Sequence, residues 1–232
     1  EEAKHVWVMA DHAKAHTPID GTPVVWFNPP LGNVVQDREH VHNFRFGGRM
    51  RPGKVRLRDY NLHKPDLKGM EVEEEAKAGA DLVVYDFPGE YQTPGHEGPH
   101  QGKMMAKVRL EALQATRRAG SGESDCPRLT AGKVMGLIGH PRPELNGEYR
   151  LIQVSHMGAQ PQVLDQDASG ESSYQNSFVC TELKAPFRPA RVTPRPVIRG
   201  LQTATVVGPK GEEVHVDEHG RVRVQFHWDR DG

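Results

Sequence analysis

Two cysteines in 232 residues, Cys126 and Cys180, are too few and too far apart for a disulfide framework or a CxxC metal site. They are expected as reduced, buried thiols in a protein that folds in the cytosol. No apolar run approaches the roughly 18 residues of a membrane-spanning helix. The opening EEAKHVWVMAD has no basic stretch followed by an apolar one, so it does not read as a signal peptide. It also lacks an initiator Met, and the chain stops just after a strand pattern, so both ends read as cut. Charge of neither sign dominates: Lys and Arg number 30, Asp and Glu 31, and the net charge is −1. A general nucleic-acid binder normally carries a basic excess or patch, so no nucleic-acid partner is expected. There is no glycine-rich phosphate loop ending in GK[ST], no GxSxG elbow and no dense carboxylate pair. Accordingly no catalytic, cofactor-binding or metal-ligating residue is assigned, and no cofactor is expected.

What the chain does contain is punctuation. With 24 Gly and 18 Pro, it favours many short elements joined by turns over long helices. The stretch 208–232, GPKGEEVHVDEHGRVRVQFHWDRDG, shows this most clearly. Turn residues fill its first half. After Gly220, Val222, Val224 and Phe226 alternate with Arg221, Arg223, Gln225 and His227, the period-two pattern of a half-buried strand. Gly220 can take positive φ, which suits a tight reversal before that strand. Further strands are expected over residues 4–10, 23–27, 39–46, 82–87, 133–138, 149–157 and 174–183. Residues 71–75 read as an acidic, solvated stretch, 121–125 as a loop tip and 160–173 as a polar segment. Asn146–Gly147 is the strongest hairpin signal, because Asn-Gly suits a type I′ turn. The fold class is therefore mainly β, with one or two helices.

The best helix pattern covers residues 101–118. Met105, Val108, Ala112, Ala115 and Thr116 fall on one face, Lys107 and Glu111 stand four apart, and Gly120 is placed to cap the end. Just upstream, residues 96–100 read HEGPH, a match to the zinc-protease pattern HExxH. That motif needs both histidines on one helical face. Gly98 and Pro99 occupy the middle, and proline inside a helix costs roughly 3 kcal/mol, so a loop is expected. His40 and His42 would share a strand face, which could present two imidazoles to a metal, but zinc needs three or four ligands. Arg45, Arg49, Arg51, Lys54, Arg56 and Arg58, with Phe44 and Phe46, could form a nucleic-acid surface. Alternation of Arg56 and Arg58 with Val55 and Leu57 reads equally as a half-exposed strand. Residues 186–196, PFRPARVTPRP, form a semi-rigid linker and the clearest domain boundary.

The wording of the chain also resembles a known family. DEHGRVRVQFHWDRDG, preceded by PRPVIRGLQTATVVGPKGEEVHV, is similar to a junction in VgrG proteins, the spike-tip proteins of bacterial type VI secretion systems. RPGKVRLRDYNL, VYDFPGEY, the helix text and HPRPELNGEYRLIQVSH match that family in the same order, as does the opening segment. The resemblance implies a phage-tail-hub-like β-barrel region over 1–185 with its N-terminal part missing, the linker at 186–196, and the beginning of an OB-type barrel over 197–232. It also implies a homotrimer that caps a hexameric tube protein. Further on, a needle would carry an effector or tip protein, touching a target membrane only during puncture. Assembly in the bacterial cytoplasm and export by the type VI machine, without a cleaved signal, would follow. The function implied is mechanical, not enzymatic. Alternatives are a phage baseplate hub and a zinc hydrolase acting through HEGPH.

Overall fold

Short runs of β-branched and aromatic residues fold as strands almost everywhere that alternation predicts them. The computed structural model describes residues 9, 12–29, 38–92, 98–160, 172–209, 211 and 215–230. The strand expected over 4–10 and the polar stretch 160–173 lie almost wholly outside these. In chain order the elements are β1 (Val24–Phe27), β2 (His40–Gly48), β3 (Lys54–Arg58), β4 (Glu71–Glu75), β5 (Val83–Asp86), α1 (Pro99–Gln114), β6 (Arg118–Ser124), β7 (Val134–Ile138), β8 (Gly147–Ala159), β9 (Ser173–Glu182), β10 (Ala204–Val207) and β11 (Arg223–Phe226). The protein is mainly β, as its composition suggests.

The chain divides into two units. The first comprises Glu1–Asp59 with Gly69–Ala190, and the second Tyr60–Lys68 with Arg191–Gly232. Within the first, six strands close a barrel in the order β1-β2-β6-β9-β8-β7. The short β1 pairs parallel with both β2 and β7, while the other neighbours run antiparallel. The barrel is filled by side chains that include Val25, Val41, Phe44, Met135, Leu137, Tyr149, Leu151, Phe178 and both cysteines. A three-stranded sheet in the order β4-β3-β5 lies in the same unit. Its core joins Val55, Leu57 and Val72 to Tyr91 and to Ala106 and Leu110 of α1. The second unit holds an antiparallel pair, β10 and β11.

Four local expectations are corrected. Residues 118–124, RAGSGES, are a central barrel strand and not a helix end followed by a loop. Polar, glycine-rich text hides it, yet two glycines make it possible. A Cβ on Gly120 would sit 2.7 Å from the Phe46 ring, and one on Gly122 would sit 2.5 Å from Phe178 Cζ and 2.7 Å from the Asn43 carbonyl. Bare backbone lets the rings lie across the strand. Residues 71–75, EVEEE, are also a strand, because Val72 enters the core and three glutamates face a basic neighbour.

The helix starts earlier than its apolar pattern implies. Pro99 stands in the first turn, where a missing N–H costs nothing. It packs through Gly102, Ala106 and Leu110, whereas Met105 and Val108 keep 37 and 41% of their surface exposed. The choice follows from size: a Cβ on Gly102 would lie 2.8 Å from the Tyr91 ring, so the small residues allow close approach to the sheet. Asn146 is extended (φ −78°, ψ 126°). A type I′ turn would need positive φ there. Its amide instead pins the β7–β8 connection, accepting from the His140 N–H at 2.8 Å and donating to the His140 carbonyl at 3.0 Å.

Gly122→Ala should destabilise the protein by about 1–3 kcal/mol through overpacking. Gly147→Ala meets nothing within 4 Å and should be close to neutral. Denaturant unfolding of both variants checks this; equal midpoints would remove the glycine–aromatic account of the barrel.

Candidate functional site

The residues singled out for chemistry are mostly used in structure. His40 and His42 do share a face of β2, with ring centroids 6.0 Å apart. Each meets an acid from β6 or just beyond it: His40 Nδ1 lies 3.0 Å from Asp125, and His42 Nε2 lies 3.6 Å from Glu123. Among the described residues no group of three or more His, Cys, Asp or Glu is arranged to hold a metal ion. Of HEGPH, His96 and Glu97 lie outside the described residues, and His100 sits in the first turn of α1.

Part of the basic run is neutralised by the acidic strand β4. In the β3–β4 register Lys54 faces Glu75, Arg56 faces Glu73 and Arg58 faces Glu71. Lys54 Nζ lies 2.7 Å from Glu75 and 3.1 Å from Glu73, and Arg56 donates to Glu73 at 2.7 and 2.9 Å. Hydrogen bonds from Arg56 and then Lys54 hold the Glu73 carboxyl below its usual range. Cross-strand pairs of opposite charge like these stabilise a sheet modestly and set its register. The predicted Lys107–Glu111 pair is superseded, because Glu111 accepts from Arg188 Nε at 2.8 Å.

Two arginines that pattern reading missed tie loops to the barrel. Arg128 donates to Glu39 at 2.7 Å and to the carbonyls of Asp20 and Thr22 at 2.6 and 2.7 Å. Arg150 is buried on β8 and donates to the carbonyls of Leu183 and Ala185 at 3.1 and 2.9 Å. It anchors the chain just before the proline-rich stretch. Burial lowers its pKa, yet no sequence signal separates it from a surface arginine of an alternating strand.

Both cysteines are buried free thiols, as their number suggests. Burial pushes Cys126 up to about 11 and Cys180 up to about 12. The thiolate is the reactive form. Iodoacetamide at pH 8 should therefore leave both unlabelled in the native protein and label both after unfolding. Rapid native labelling would show that the barrel opens locally.

In the second unit the predicted turn is present. Val216 bridges Val222, and Gly220 takes φ 75°. Asp217 organises the reversal: its carboxylate accepts from the N–H groups of His219 and Arg221 at 2.9 Å each. The Arg221 N–H and guanidinium, with the His219 N–H, hold it down to about 2. An unfolded Asp titrates near 3.9. The folded pKa is the lower one, so the stabilising contribution is complete above the unfolded value. It is lost as pH falls toward 2. An NMR titration of the Asp217 carboxyl should give a midpoint near 2; a midpoint near 4 would mean the carboxylate is not so held.

Apolar side chains of this unit are conspicuously open. Val197, Ile198, Leu201 and Trp228 are 74, 60, 105 and 61% exposed. Among the described residues no arrangement was assigned a catalytic role.

Residues 1–162 match the family described as phage tail baseplate hub (GPD). The chain belongs to this family. Type VI secretion system spike protein VgrG4b of Pseudomonas aeruginosa is 37% identical over 241 residues, covering 95% of this chain and 29% of that protein. VgrG5 of the same organism is 41% identical over 240 residues, covering 98% of this chain and 29% of that protein. The resemblance to VgrG proteins is thus borne out, and this hub chain spans under a third of the length of those two relatives. Among solved structures, an E. coli component of the type VI secretion system, described as similar to the T4 tail proteins gp27 and gp5, shares 20% identity at a TM-score of 0.40. It covers 79% of this chain and 45% of its own.

Proposed function

We propose that this protein is the hub portion of a type VI secretion spike. Three copies form a ring that caps the hexameric inner tube, and the assembled spike helps to puncture a target membrane and deliver effectors. The observation that carries this reading is the match to the hub family over residues 1–162, joined to near-complete coverage of this chain by VgrG spike proteins. The closed barrel supports it, since a load-transmitting part needs a rigid packed core. The open apolar side chains around 197–228 support a trimer, because they need cover that neighbouring copies or further chain would supply.

In this reading residues 1–185 are the hub region, 186–196 the linker and 197–232 the beginning of an OB-type barrel at the spike base. The work is mechanical and no residue is assigned to catalysis. Assembly takes place in the bacterial cytoplasm, with export through the type VI machine. The baseplate-hub family name equally suits a phage virion, and the genes beside this one decide between the two settings.

Light scattering on the purified protein tests the trimer. A mass of three chains is the expected result, and Leu201→Asp should shift it toward one chain without loss of the barrel's circular dichroism. A single-chain mass at every concentration would end the trimer reading.

A further inference from the structure

The chain leaves β2 through Arg49, Met50 and Arg51, and enters β6 through Arg117 and Arg118. The Arg49 N–H donates to the Arg117 carbonyl at 2.8 Å, so the two basic segments run side by side. Together they line a groove of about 360 Å³ with Leu82 at its edge. An adjoining depression shares Arg49 and Arg51 and adds Arg45. Arg45, Arg49, Arg117 and Arg118 are exposed, and Arg51 is half-buried.

These guanidiniums are not neutralised as their neighbours are. Lys54 and Arg56 each contact two glutamates of β4. Of these five arginines, four in the groove and Arg45 beside it, only Arg118 has a carboxylate within ion-pair distance among the described residues, Glu182 at 3.1 Å. A chain of net charge −1 thus gathers a local excess of positive charge in two adjoining concavities. Planar guanidinium forks match carboxylates in paired hydrogen bonds.

The aromatic residues nearby do not suit a nucleic acid. Binding single strands relies on open rings for base stacking. Phe44 is 7% exposed, and the Phe46 ring has Arg118 stacked over it at 5.5 Å. Met50 and Leu82, by contrast, are 83 and 37% exposed at the groove, offering apolar contacts to aliphatic side chains.

We propose that this arginine-lined groove docks an acidic segment of a partner protein, one that mixes Asp or Glu with aliphatic residues. The proposal stands apart from the trimer reading, since it concerns a groove built entirely within the first unit.

The test is fluorescence anisotropy of the purified protein with a labelled peptide, Asp-Leu-Glu-Asp-Leu-Glu. Saturable binding is expected, weakened at roughly 0.5 M NaCl where charges are screened within a few Å. Reversing charge with Arg49→Glu and Arg117→Glu together should weaken binding about tenfold or more. Lys103→Glu, an exposed change on α1, should not. Circular dichroism melting confirms folding. Should the double variant fail to fold, Arg49→Gln and Arg117→Gln singly should each still weaken binding. Unchanged affinity in these variants overturns the proposal. So does tighter binding of labelled hexathymidylate than of the peptide, which would reassign the groove to nucleic acid.

Discussion

Everything in the barrel depends on how closely β6 can approach the aromatic side chains of its neighbours. Gly120 lies against Phe46, and Gly122 lies against Phe178, at separations no Cβ could share. β6 pairs with β2 on one side and β9 on the other, so it is the strand across which half of the wall is joined. With side chains at these positions the rings would be displaced, and the aromatic cluster of Phe44, Phe46, Phe178 and Tyr149 would lose its geometry. A hydrophobic fraction of only 36% makes such economical packing necessary. Few large residues must each fill much volume, and close-packed interiors tolerate little misfit.

Charge is distributed by the same logic. Near-equal totals of opposite sign are resolved locally: the glutamates of β4 answer the basic residues of β3, and Arg128 closes the start of β2 against the segment before β1. Arginines serve inside as well, where the buried Arg150 donates to the backbone carbonyls of Leu183 and Ala185. Against this background the clustered arginines between β2 and β6 are the exception. A protein with balanced charge has no electrostatic need to leave them together.

Membership of the baseplate hub family gives these features a setting. A closed barrel has no free edge strands at which to open or aggregate. The motifs that invited a chemical reading take part in structure: the histidine pair meets acids, and the proline of HEGPH opens α1.

Much of this was legible from residues alone. Alternation located β1, β2, β3, β5, β7, β8, β9 and β11 to within a few residues, and the Asp217–Gly220 turn was readable from its residue types. Wording in six segments pointed to the hub family. Three things were not legible. β6 and β4 carry too little apolar text, because one takes its place through what its glycines allow and the other through charges on a partner strand. The packing face of α1 goes to its small residues, since approach distance to the sheet outweighs apolar periodicity. Period and turn chemistry are local, so the sequence by itself determined the strands, the turn and the mainly β class. Barrel closure, the buried role of Arg150 and the meeting of five arginines join residues far apart in the chain. Only tertiary structure decided those, because volume and charge are balanced between neighbours in space.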